Sequence, residues 1–243
     1  GDGAAKQERR MRHLLYIPII HSSVDLGSAG AVLTLHGAAL AGEGRWAVHQ
    51  ETVSKFWQSV AAYLRSLDPR CLRVYQDGLA AAGELGRRVV QEAAKRGSPN
   101  YQLVLELLDG GAELRQTEDP LLLTLERENI LAGLAPGAAG QEGPAARRYR
   151  EQRDRLTEER DKFIAGTIGA TLREGELGVL FLGAYHQVAS HLAADISVQM
   201  VKDPERVCLY LDELFLGRDD ARLKDVTDYL ALPVCVGGPK GSG

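Results

Sequence analysis

Three cysteines in 243 residues, Cys71, Cys208 and Cys235, lie far apart with no CxxC pair among them, which excludes both a zinc-ligand spacing and a disulfide framework. Basic runs are equally scarce. Scattered arginine pairs and a formal net charge of −4 argue against a nucleic-acid partner. No apolar stretch approaches the roughly 20 residues of a membrane span, so no membrane partner is expected. Arg9, Arg10 and Arg12 precede an apolar run, but that run contains Pro18 and ends at His21, which is a poor signal peptide. A reduced, cytoplasmic compartment is the resulting expectation. There is no GxSxG elbow and no cysteine–histidine pairing, so a covalent Ser or Cys nucleophile finds no support. No internal repeat is present either.

What remains is an ordinary globular composition, 44% hydrophobic and 26% charged. The informative stretch is 156–188, LTEERDKFIAGTIGATLREGELGVLFLGAYHQV. Its apolar segment 179–182 is short and bounded by glycine, the pattern of a strand buried on both faces of a parallel sheet. The polar residues after such a strand sit at its carboxyl end, where open α/β sheets bind ligands. That makes Tyr185 and His186 site candidates. In the helix before it, about 100° per residue places Arg160 and Asp161 on the stripe of Ile164 and Ile168. Charges that extend a core-facing stripe are paired or functional.

The same reading recurs along the chain. Residues 14–20 form a strand that tolerates Pro18 only near an edge or a bend. It is followed by His21-Ser-Ser-Val-Asp25 and a helix starting near Ser28. The Gly27/Gly30 pair lacks the rest of either phosphate fingerprint, and Asp25 would repel a phosphate. Residues 32–40 read as helical, then a loop, then an amphipathic helix over 49–67 with Val53, Phe56, Trp57, Val60, Ala61 and Leu64 facing the core. His36 and His49 are taken as structural. A third strand over 71–78 ends in Gln76-Asp77. Helices over 84–96 and 101–108 follow, broken at Gly97-Ser-Pro99. A fourth strand, 112–116, ends in Glu118-Asp119-Pro120, where Asp119 suits a helix N-cap before Pro and Glu118 is left as the site candidate. Residues 132–146, rich in Gly, Pro and Ala, form a flexible loop or a lid. Residues 147–160 read as a solvated charged helix, with a fifth strand at 195–201 and closing helices at 204–215 and 219–230. His191 is a surface residue in this reading.

The expected fold is therefore α/β, one domain over 11–234, with a mostly parallel central sheet of at least five strands flanked by helices. Residues 1–10 and 235–243 are expected to be tag remnants or tails. The strands deliver His21, Asp77, Glu118 and His186 to one edge of one sheet. Two chemistries fit this set. His21 and His186 with the carboxylates could hold one divalent metal ion that activates water. Alternatively, a histidine acts as general base with a carboxylate orienting it, and no metal is needed. Arg160 would stabilise an oxyanion or bind a charged substrate group, Tyr185 would be a proton donor, and Ser22 and Asp25 would line the substrate site.

The pattern YIPIIH, DLGS, YQDG, TED, RDKFIA and GELGVLFLGAYH resembles a family of uncharacterised bacterial and archaeal proteins over most of the chain. More distantly it is similar to the clan of TraB, Tiki, ChaN and erythromycin-esterase-like proteins. Gly183-Ala-Tyr-His186 matches that clan's second GxxH, and Arg160-Asp161 with Ala165 resembles its helical motif. His21 matches its first histidine, with Pro18 in place of the glycine, and Gln76-Asp77 stands where the clan has Glu. The resemblance implies a hydrolase, acting with or without a divalent metal on peptides, esters or haem-related ligands. The expected function is thus a hydrolase with a His/carboxylate site and water as nucleophile, acting on a small-molecule or peptide substrate. A non-catalytic small-molecule-binding or regulatory protein using the same pocket is the alternative. A third reading gives the strand-end residues only capping and turn-making roles.

Overall fold

The computed structural model of the protein describes residues 11–20, 41–133, 143–217 and 219–235. Alternation in the strands dictates the layers. In β1 (Arg12–Ile19), Leu15, Ile17 and Ile19 enter one core while Leu14 and Tyr16 enter the other. β4 (Leu177–Gly183) divides in the same way, Val179 and Phe181 against Leu180 and Leu182. A strand with apolar residues on both faces is stable only between two layers of helix, and that is what forms.

Between these two strands in sequence come α1 (Glu43–Leu64), a 3₁₀ turn (Pro69–Cys71), β2 (Leu72–Gln76), α2 (Gly83–Lys95), α3 (Pro99–Asp109) and β3 (Glu113–Arg115). Two helices then complete the first part, α4 (Pro120–Gly133) and the 28-residue α5 (Pro144–Thr171). After β4 come a second 3₁₀ turn (Val188–His191), β5 (Ile196–Met200), α6 (Pro204–Phe215) and α7 (Asp220–Ala231). The five strands form one all-parallel sheet in the order β3-β2-β4-β1-β5, and this is a single α/β domain. One face is covered by α1, α2, α3, α6 and α7, the other by α5. No helix among the described residues is long and apolar enough to cross a membrane.

Several expectations shift. β1 is not an edge strand: it pairs with both β4 and β5. Its ladder with β5 stops at Tyr16–Met200, whereas that with β4 continues through Pro18–Leu182. Pro18 is therefore tolerated because only one neighbour flanks the strand there. α1 begins at Glu43, six residues before the expected start. Of the expected loop or lid at 132–146, residues 132–133 end α4 and 144–146 begin α5. Residues 134–142 lie outside the described residues, as do both terminal tails apart from Cys235, the helices expected near Ser28 and over 32–40, and His36.

Candidate functional site

The site begins where β2 ends. Gln76 is the last strand residue, yet the pairing continues as the Asp77 amide donates to the Phe181 carbonyl at 2.8 Å. Gly78 then adopts φ +75°, a left-handed conformation that turns the chain sharply. The Leu79 carbonyl accepts from the amides of Thr117 and Glu118 at 3.0 and 3.1 Å, extending the β2–β3 alignment past Arg115. Glu118 is thereby held beside Asp77 and is fully buried. On β4, the Gly183 amide donates to Asp77 Oδ2 at 3.1 Å, and its carbonyl accepts from the Tyr16 hydroxyl at 2.9 Å. A turn closed by the His186 amide on that carbonyl presents the imidazole. A Cβ placed on Gly183 would lie 3.4 Å from His186 Cδ2 and 3.5 Å from Asp77 Oδ2, so these two atoms are no more than about 7 Å apart.

α5 lies across these strand ends and contributes two consecutive charges, each 3% exposed. Arg160 points toward β2, β3 and α4. Its Nη2 donates to Glu118 Oε1 at 2.5 Å and to Asp77 Oδ1 at 2.8 Å, Nε donates to Glu118 Oε2 at 3.2 Å, and Nη1 donates to Glu126 Oε1 at 2.5 Å. This uses four of the five guanidinium N–H groups. Asp161 points toward β4. Its Oδ1 meets His186 Nδ1 at 2.5 Å and its Oδ2 accepts from the Gln187 amide at 2.8 Å. The second imidazole nitrogen, Nε2, has no hydrogen-bond partner among the described residues.

Burial sets the electrostatics. It pushes the Glu118 carboxyl above the usual range, against the hydrogen bond and the charge of Arg160. It also opposes the Arg160 charge, but the bond to Glu118 and the negative fields of Asp77, Glu118 and Glu126 raise that group further, and the guanidinium stays charged. For His186 burial again lowers the pKa, and the bond to Asp161 with the charge of Asp77 more than offsets it, so the imidazole lies above its ordinary value. Tyr16 is pushed up by burial and by Asp77 and Asp161.

The candidates Asp77, Glu118, Arg160, Asp161 and His186 are brought together. Tyr185 is not: its hydroxyl donates to Asp212 of α6 at 3.2 Å, and the side chain is 59% exposed at the mouth of a cavity. Burial and Asp212 push that phenol up to about 12. The cavity, of about 840 Å³, runs along the α5 face bearing Asp161, with Thr157, Glu158, Gln187 and His191 among its walls. Ser22, Asp25 and His21, including the metal-ligand role expected of His21, lie outside the described residues. Two contributors escaped the sequence reading. Glu126 stands two turns into α4, and only Pro120 at the helix start, ahead of a leucine-rich run, hinted at that helix. Tyr16 looked like any core aromatic. Asp119 does cap α4, accepting from the Leu121 amide at 2.6 Å. His49 is buried on α1 against Tyr210, Nδ1 to hydroxyl 2.7 Å, and burial lowers its pKa to about 4, as befits a neutral core histidine.

Fold and site together define an all-parallel α/β protein with a His–Asp pair beside a buried arginine–carboxylate cluster. Comparison with protein-family models, with curated proteins and with solved structures returns no match.

Proposed function

We propose that the protein is a hydrolase in which His186, oriented by Asp161, acts as general base toward water attacking an ester or peptide bond. The observation that carries this reading is the His186 Nδ1–Asp161 Oδ1 contact at 2.5 Å with Nε2 left without a partner among the described residues. An anchored carboxylate on Nδ1–H fixes the tautomer and leaves the Nε2 lone pair outward, as a general base requires. The Gln187 amide on Oδ2 stops the carboxylate from rotating. Asp77, close to the ring, favours the imidazolium that forms when the water proton is taken.

Arg160 is a positioning residue in this scheme, since its donors are taken by Glu118, Asp77 and Glu126. It keeps the buried Glu118 and the part-buried Asp77 in place beside the reaction centre rather than gripping substrate. The cavity lined by Asp161, Tyr185 and Gln187, the neighbours of His186, is the substrate approach in this reading. The likeness of Gly183-Ala-Tyr-His186 and Arg160-Asp161 to the erythromycin-esterase-like clan adds weight to hydrolysis of esters or peptides. A divalent ion would take the same Nε2, with Asp161 as the carboxylate behind a metal-bound imidazole. Among the described residues, however, no group of three or more His, Cys, Asp or Glu side chains could hold one, and Asp77 and Glu118 are already tied to Arg160.

The turning of the Tyr185 hydroxyl toward Asp212 leaves the imidazole without the adjacent proton donor expected there, and it favours the rival reading of a non-catalytic small-molecule-binding protein. One experiment separates them. A panel of ester and peptide substrates is offered to wild type and His186→Ala, with and without chelator. Turnover that survives chelation and falls at least about 100-fold in the variant is expected, the usual size of a general-base contribution. Turnover unchanged in His186→Ala would overturn the assignment, and ligand binding without turnover would favour the rival.

A further inference from the structure

Away from this site, Lys202 follows β5 at the sheet edge and is only 4% exposed. Lysines ordinarily bury the stem and keep the ammonium in water. Here Nζ is inside: it donates to the Leu232 carbonyl at the end of α7, at 2.6 Å, and lies 5.4 Å from the centre of the Tyr229 ring. Among the described residues Lys202 forms no ion pair. The neighbouring charges are otherwise engaged. Arg206 stacks on the Tyr229 ring at 4.5 Å and pairs with Asp225, while Asp203 caps α6 through the Glu205 amide. A cavity of about 440 Å³ adjoins the amine, with Val201, Leu232, Pro233, Val234 and the Tyr229 ring as largely apolar walls. Capping α7 accounts for one N–H. It does not account for placing an unpaired amine against an apolar cavity, since an unpaired buried charge is costly.

We propose that Lys202 is a nucleophilic amine that condenses with a small apolar aldehyde admitted to this cavity. The neutral amine keeps one N–H on the Leu232 carbonyl and directs its lone pair at the carbonyl carbon. The C–N bond forms, the carbinolamine loses water, and a C=N bond to Lys202 results. On protonation, the iminium N–H takes over the bond to Leu232 and the positive charge faces the Tyr229 ring. No oxidant or reductant is required. Burial lowers the pKa of Lys202, against the opposing charge of Cys235, so the neutral amine is enriched near neutral pH.

The test traps the adduct. Intact protein is incubated with hexanal and cyanoborohydride at pH 7, and peptide mass spectrometry follows each lysine. A lowered pKa enlarges the neutral fraction, so Lys202 is expected to be alkylated faster than the exposed Lys55, Lys95, Lys162 and Lys224. Lys202→Arg keeps a donor for the Leu232 carbonyl and should abolish the fast adduct alone. Alkylation of Lys202 no faster than that of the exposed lysines, or none at all, would overturn the proposal. The wild-type map decides the matter even if the variant fails to fold.

Discussion

Arg160 and Asp161 are adjacent in sequence, and a helix sends adjacent side chains about 100° apart. That divergence lets one helical turn serve two neighbours, with the arginine reaching the β2 and β3 ends and the aspartate reaching β4. The consequence is testable at Asp161. Asp161→Asn preserves shape, but its amide would donate to His186 Nδ1 and enforce the wrong tautomer. The rate should fall about 10²- to 10⁴-fold, the span of a general-base contribution. The base works only when neutral, so wild-type activity should rise with pH through a midpoint above 6.5, the His186 value being raised. With the principal raising partner gone and burial still lowering the value, residual activity in Asp161→Asn should titrate at lower pH. A rate–pH profile for both proteins checks this, and an unmoved acidic limb would show that Asp161 does not act on the base. The identities of these residues were legible because charges on a core stripe and polar groups after buried strands violate the local pattern. Their partners were not. Arg160 meets Asp77 and Glu118 across 83 and 42 residues, and only the strand order brings those ends together.

Elements were readable where burial is one-sided or complete, and blurred where it is neither. α1 showed its stripe, and Val53, Phe56, Trp57, Val60, Ala61 and Leu64 are all buried. α4 hid itself: of PLLLTLERENILAG only Asn129 and Gly133 are buried, while Leu121 and Leu131 are 64% and 51% exposed, so the apolar residues trace no single face. Gly178 bounds the apolar segment 179–182 in sequence, yet it lies within β4 opposite Leu14 and Arg73. Its role there is close approach. A Cβ would come within 2.6 Å of Leu14 Cδ1 and 3.2 Å of Leu172 Cδ2, both in fully packed side chains. Gly178→Ala gains strand propensity but overpacks this junction between β1, β4 and the end of α5. A net loss of about 1–3 kcal/mol is expected from overpacking, read as a lower urea midpoint with an unchanged slope. A midpoint equal to or above wild type would mean that Leu14 and Leu172 give way freely.

Across the whole molecule, the sheet separates two apolar clusters that share the same strands. The larger holds Phe56, Trp57 and Tyr210; the smaller packs Ile164, Ala165 and Ile168 of α5, with Leu172 just after it, on Leu14, Tyr16, Tyr75, Leu180 and Leu182. Because alternate residues of β1 and β4 feed both clusters, neither face can unfold while the other keeps its strands. The site depends on this coupling, since its histidine follows the end of β4 and the aspartate orienting it rides on α5. Both tryptophans, Trp46 and Trp57, are on α1, so their fluorescence reports the larger face alone. Ile168 is fully buried on the opposite face. Ile168→Ala should cost about 2–5 kcal/mol through lost burial and the cavity left behind. In urea, tryptophan fluorescence and far-UV circular dichroism should move to lower denaturant together and with coincident midpoints, because loosening α5 removes support from the strands that α1 also needs. A variant whose circular dichroism transition shifts while its fluorescence transition stays at the wild-type midpoint would show that the two faces unfold separately, and that α5 can leave the sheet, taking Asp161 from His186, without disturbing the rest of the core.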